Sequence, residues 1–215
     1  MHYYDMVQIS AAAFKSWERF YRAHFLNSLS GIKPVSLIAT VNENGQPNLA
    51  VFSNIVHLGA DPALVGFINR PLEAAPHTIA NVERTGVYTI NHIHEEMMQQ
   101  AHQTSAKYDA SVNEFDAVGL TPAYMPTCKA PYVQESKIRY ALQLQQIIPI
   151  ERNGTFLVIG EVTDVMLDEN LIEPDGFINL SKAGSMGSIG IDGYSVFEAP
   201  VRFQYAKPGK QAERL

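Results

Sequence analysis

The sequence predicts a mainly β fold, a barrel or sandwich of antiparallel strands with peripheral helices. Three observations predict it. Short stretches alternate with period two, as where Ile138, Tyr140, Leu142 and Leu144 interleave with Arg139, Ala141 and Gln143. Tight turns join such stretches at Asn42-Glu43-Asn44-Gly45 and at Asn153-Gly154, the strongest short hairpin signal in the chain. Strands do not alternate regularly with helices, which argues against a doubly wound parallel sheet.

The elements follow in order. From Ser10 to Leu29 the pattern is helical: Phe14, Trp17, Phe20, Tyr21, Phe25 and Leu29 recur at steps of three and four. This aromatic stripe suits internal packing and a partner subunit equally. Val35 to Val41 reads as a strand and Pro47 to Val56 as its hairpin partner. Leu64 to Ile68 is a short apolar strand. A helix starts at Pro76, where proline suits the first helical position, runs to about Arg84, and is stopped by Gly86. Val87 to His92 is a strand, His94 to about Tyr108 a helix, and Asn113 to Gly119 a helical turn. Leu120 to Pro131, with three prolines, reads as loop or edge. Thr155 to Leu167 pairs back after Asn153-Gly154. Gly184 to Gly193 reads as a glycine-rich loop, Val201 to Tyr205 as a last strand, and the tail from Lys207 as frayed. The expected organisation is a helical extension over 1–33, one domain over 34–206 and a tail over 207–215.

Composition excludes several classes. The 215 residues suit one large domain. With 16 Lys+Arg against 22 Asp+Glu the net charge is −6, so neither nucleic acid nor an anionic membrane is an expected partner. Met1 to Asp5 lack a basic stretch followed by an apolar core, so no signal peptide is read, and the chain is expected in the cytoplasm. The single cysteine, Cys128, is read as a small apolar side chain. His92, His94 and His102 are read as histidines with ordinary hydrogen bonds rather than metal ligands. No Gly-x-Gly-x-x-Gly follows a strand, and neither a P-loop nor a Gly-x-Ser-x-Gly elbow occurs, which disfavours Rossmann, P-loop and α/β-hydrolase chemistry.

The informative region runs from Asn48 to Asn91. Asn48, Ser53 and Asn54 lie on one strand, Asn69-Arg70-Pro71 at the exit of the next, and His77 and Thr78 at a helix start. A phosphate wants backbone N–H groups at a helix start, a hydroxyl and a guanidinium, and this span supplies all three types. The plain alternatives stay open: a strand end at Ser53-Asn54, a solvated loop at Arg70-Pro71, and ordinary helix-start polarity at Thr78.

The order of segments resembles the flavin-reductase-like, FMN-binding split-barrel family. The matching stretches are Pro34 to Thr40, Gly45 to Ala50, Phe52-Ser53-Asn54, Asp61 to Phe67, His77 to Asn81 and Thr85 to Asn91. Glu114-Phe115, Gly119-Leu120-Thr121 and Glu135-Ser136 follow them. His77 stands where the family usually has an acid. The resemblance implies a six-stranded Greek-key split β-barrel with peripheral helices, and FMN bound at the interface of a homodimer. It implies hydride transfer from NAD(P)H to flavin, with a small-molecule electron acceptor and often a partner monooxygenase. A non-enzymatic FMN-binding electron-transfer or carrier protein is the alternative. Carried over residue by residue, Asn48, Ser53 and Asn54 go to the ring region, Asn69, Arg70, His77 and Thr78 to the ribityl-phosphate end, and Asn91 to the same site. No catalytic residue is expected, because the cofactor carries the hydride chemistry.

Overall fold

The computed structural model describes residues 6–215; the Met1–Asp5 stretch, read above for a leader, lies outside the described residues. In chain order the first elements are helices α1 (Ala11–Ser16) and α2 (Arg19–Leu29) and strands β1 (Lys33–Pro34), β2 (Ser36–Val41), β3 (Pro47–Phe52), β4 (Ile55–Ala60) and β5 (Ala63–Asn69). Then come α3 (Pro76–Thr85), β6 (Val87–His92), α4 (Met98–Gln103), α5 (Glu114–Val118), β7 (Pro122–Met125) and β8 (Cys128–Val133). The chain continues through β9 (Ile138–Ile150), β10 (Thr155–Leu167), α6 (Leu180–Ala183), β11 (Met186–Ile189) and β12 (Gly193–Val196).

The main sheet has seven strands in the order β3-β2-β6-β9-β10-β5-β4, every neighbouring pair antiparallel. Its two edge strands, β3 and β4, are consecutive in the chain and separated only by Ser53 and Asn54. In a flat sheet those edges would stand about 29 Å apart at ~4.8 Å per strand. Three Cα steps from Phe52 to Ile55 span at most about 11 Å. The sheet therefore rolls up until its edges meet, and it stays split there, because β3 and β4 are not paired with each other. The Phe52 and Phe67 rings meet edge to face at 5.0 Å inside the seam. Tyr88 packs on Phe67 at 5.4 Å, and Ile38, Ile90, Leu142 and Val158 complete the barrel core.

α3 plugs one end of the barrel with Ile79 and Val82. It ends at Gly86, whose φ of +73° suits a residue without a Cβ. On the outer face of β2 and β3, Leu37, Ala39 and Leu49 form a second core with Met97, Phe115 and Met186. The α1–α2 extension buries no residue. Its aromatic side chains cluster on one another, with Trp17 4.9 Å from both Tyr21 and Phe25. No helix among the described residues is long and apolar enough to cross a membrane.

Several local expectations change. The sheet has seven strands where six were expected; the single strand expected over Pro47 to Val56 is two, broken at Ser53-Asn54. The helical stretch from Ser10 is broken at Trp17, whose ψ of 147° is extended. The helix expected from His94 shortens to a 3-10 turn followed by α4. Leu120 to Pro131 carries β7 and most of β8, whose prolines sit on a two-stranded ribbon. The glycine-rich segment is a hairpin, β11–β12, rather than a loop. The strand expected over Val201 to Tyr205 reduces to one bridge, Phe203 to Arg214, which ties down the tail expected to fray.

Candidate functional site

The split edge and the start of α3 lie together. The Asn54 carbonyl accepts from the Ile68 N–H at 3.1 Å, so the linker that crosses the seam sits one residue from Asn69. Asn69 is fully buried at the exit of β5, and its Nδ2 donates to both the Arg70 carbonyl (2.7 Å) and the Ala75 carbonyl (3.0 Å). One amide thus pins the peptide of Arg70 to the residue that precedes α3. The Arg70 side chain is exposed and makes no ion pair among the described residues.

The start of α3 is open to an anion. Ala75 occupies the capping position and has no side chain able to cap, so the first-turn N–H groups lack the side-chain acceptor that serine or aspartate would bring. Pro76 sets the first helical residue. His77 is half-buried and Thr78 buried. The Asn48 amide donates to the Thr78 hydroxyl at 3.2 Å, which leaves the hydroxyl proton available to another acceptor. Asn81, one turn on, donates to Thr40 at 3.0 Å and anchors the helix to β2.

The free edge of β3 is sealed in part by a residue the sequence did not single out for this role. Glu114, at the start of α5, accepts from the Leu49 N–H at 3.2 Å. Burial pushes its carboxyl above the ordinary range, against the opposing pull of backbone N–H groups and of nearby His77. Glu114 was legible as part of a helical turn and of a stretch resembling the family; its contact with β3 spans 65 positions and has no local signature.

Among the expected site residues, the structure therefore brings Asn48 and Thr78 into contact. It also places Ser53, Asn54, Asn69, Arg70 and His77 around the seam and the α3 start. It does not bring Asn91 there. Asn91 pairs with Leu37 on the outer face, whereas Asn48 pairs with Thr40 on the inner one. Its amide donates to the Leu37 carbonyl (3.2 Å) and Thr89 (3.0 Å), and its Oδ1 accepts from the Val133 N–H at 2.9 Å. The three histidines read as ordinary each find a different partner: His92 meets Ser185, His94 the Glu135 carbonyl and His102 the Tyr194 hydroxyl.

This site fits a flavin mononucleotide in two respects. The uncapped α3 start and the unpaired Arg70 offer an anion its donors and its charge. Asn69 Oδ1 is buried without a hydrogen-bond partner among the described residues, an acceptor left over at the junction.

Comparison with known proteins supports the same chemistry. The profile of the flavin reductase like domain matches residues 30–181. A Shewanella frigidimarina protein assigned as a flavin reductase with a split barrel domain is 42% identical, with a TM-score of 0.90 over 94% of this chain and 100% of that one. Nitrilotriacetate monooxygenase component B from Bacillus cereus shares the fold at 21% identity and a TM-score of 0.81, covering 92% of this chain and 98% of its own. Flavoredoxin of Desulfovibrio vulgaris does so at 22% identity and 0.69, over 83% and 92%.

Proposed function

Because the chain belongs to the flavin reductase like family, we propose that it is an oxidoreductase that holds FMN along the split edge and passes a hydride from NAD(P)H to flavin. When bound, the flavin supplies the hydride-accepting ring. The chain supplies position. The N–H groups opening α3, the Thr78 hydroxyl and the Arg70 guanidinium take the phosphate. Asn69 fixes the loop between Arg70 and α3, so those donors are set before the ligand arrives. Ser53, Asn54 and the edge of β3 meet the ring, with Asn48 holding Thr78 from below. The observation that carries this reading is the uncapped α3 start pinned to Arg70 by one buried amide.

The active form is a homodimer in this reading. On the outer face of the sheet, Val56, Leu58 and Leu157 converge over Gly66, where an added Cβ would lie 3.0 Å from Leu157 Cδ1. Val56 is 44% exposed and Leu58 43%, an apolar patch suited to a second copy. The Bacillus cereus relative's name makes a partner monooxygenase the natural consumer of reduced flavin.

The test is an absorbance spectrum of the purified protein followed by NADH and NADPH titration. A yellow protein bleached by either nucleotide without added enzyme supports the reading. Yellow protein bleached only by a separate reductase leaves an FMN carrier, and colourless protein unchanged by FMN removes the assignment.

A further inference from the structure

The barrel end away from α3 holds a second feature. α3 packs on Thr40 and leads into Val87, whereas a cavity of about 430 Å³ lies where Ser36 opens β2 and His92 closes β6. Ile55 and His57 of β4 and Val65 of β5 form one wall. Leu180, Met186 and Phe197 close over the other. Phe197 reaches this position because β11 carries Gly187, where a Cβ would stand 2.6 Å from its Cζ.

The polar groups here are few, and Lys33 is the one among them that carries a full charge. His92 Nδ1 lies 3.0 Å from Ser185 Oγ. With the serine donating, the imidazole proton sits on Nε2. The Tyr140 ring stands edge-on to His92 at 6.3 Å. Neither the Tyr140 hydroxyl nor His92 Nε2 has a hydrogen-bond partner among the described residues. No carboxylate lines the cavity. Its one ammonium, on Lys33, is turned toward the carbonyls of Asn27 (3.3 Å) and Gly190 (3.0 Å).

We propose that this cavity binds a planar, uncharged aromatic molecule bearing a hydrogen-bond acceptor, with the Tyr140 hydroxyl and His92 Nε2–H as the two donors. The apolar walls and the Tyr140 and Phe197 rings suit an aromatic face, and the volume lies in the range of small-molecule pockets. The lack of an acid disfavours a cation. Burial pushes His92 down to about 4 and Tyr140 well up, so both remain neutral donors at neutral pH. Ile55 follows directly on the seam linker Ser53-Asn54, so the bound ring lies beside the proposed flavin edge. Binding itself needs no flavin, and so stands or falls apart from the flavin reading.

Calorimetric titration of the full chain with acetophenone, and with phenyltrimethylammonium as the cationic counterpart, tests this with and without saturating FMN. Acetophenone binds, and the cation binds at least about tenfold more weakly. Tyr140→Phe and His92→Gln each weaken acetophenone about fivefold. Leu180→Trp, at a position 37% exposed and therefore tolerant of bulk, fills the mouth and abolishes binding. If either donor variant fails to fold, Leu180→Trp decides. No acetophenone binding, full binding to Leu180→Trp, or loss of binding on saturation with FMN overturns the proposal, the last because the cavity would then be the flavin's own.

Discussion

The Asn48 amide donates to the Thr78 hydroxyl across 3.2 Å, joining the start of β3 to the first turn of the helix that plugs the barrel. Both side chains are buried, so the bond replaces water at two groups at once. Asn48→Ala is expected to cost about 1–2 kcal/mol in chemical denaturation, because it leaves a buried hydroxyl without its donor. A cycle with Thr78→Val should give a coupling of about 1 kcal/mol. Strict additivity would mean that the two side chains act independently.

Asn91 makes a contrasting prediction. Two of its three bonds link β6 to β2 and to β8, so Asn91→Leu strands the Leu37 carbonyl and the Val133 N–H. The expected loss is about 2–4 kcal/mol of stability. Flavin affinity of the folded protein, measured by fluorescence quenching, should change less than twofold. A large affinity loss at unchanged stability would bring Asn91 into the flavin site.

His92 gives a pH dependence with a definite sign. Burial lowers its pKa from 6.5 to about 4 in the folded chain. Between those values the unfolded chain takes up a proton that the folded chain refuses. Stability therefore falls as the pH drops from 6.5 to 4 and levels off below. The contribution is at most ~3 kcal/mol, since the ring is only partly sealed from solvent. Denaturation midpoints should show this slope in the wild type and lose it in His92→Gln. Lys33 and His57, which line the same cavity, are unchanged in that comparison. An identical slope in both proteins would assign it elsewhere.

Much of the barrel was legible because its signals are local. β10 over Thr155–Leu167 follows directly from period-two patterning, and α3 from Pro76 and Gly86. The β11–β12 hairpin was hidden because glycine reads as loop. In fact Gly190 makes its turn at a φ of +65°, and Gly187 makes room for Phe197. The break between β3 and β4 was hidden because barrel closure is a long-range event. At the site, residue types pointed to Arg70 and Thr78. Burial was not readable from sequence, so Asn91 looked like Asn48, and the contact of Glu114 with β3 left no trace in its helical turn.

In the proposed site the α3 start and Arg70 recognise a phosphate. The direct measurement compares FMN with riboflavin, which has the same ring without that group. Fluorescence titration should show FMN binding the wild type about a hundredfold more tightly. In Arg70→Ala/Thr78→Ala that preference should shrink to less than about tenfold, with riboflavin affinity unchanged. Equal affinity of the wild type for the two flavins would mean that no phosphate is recognised there.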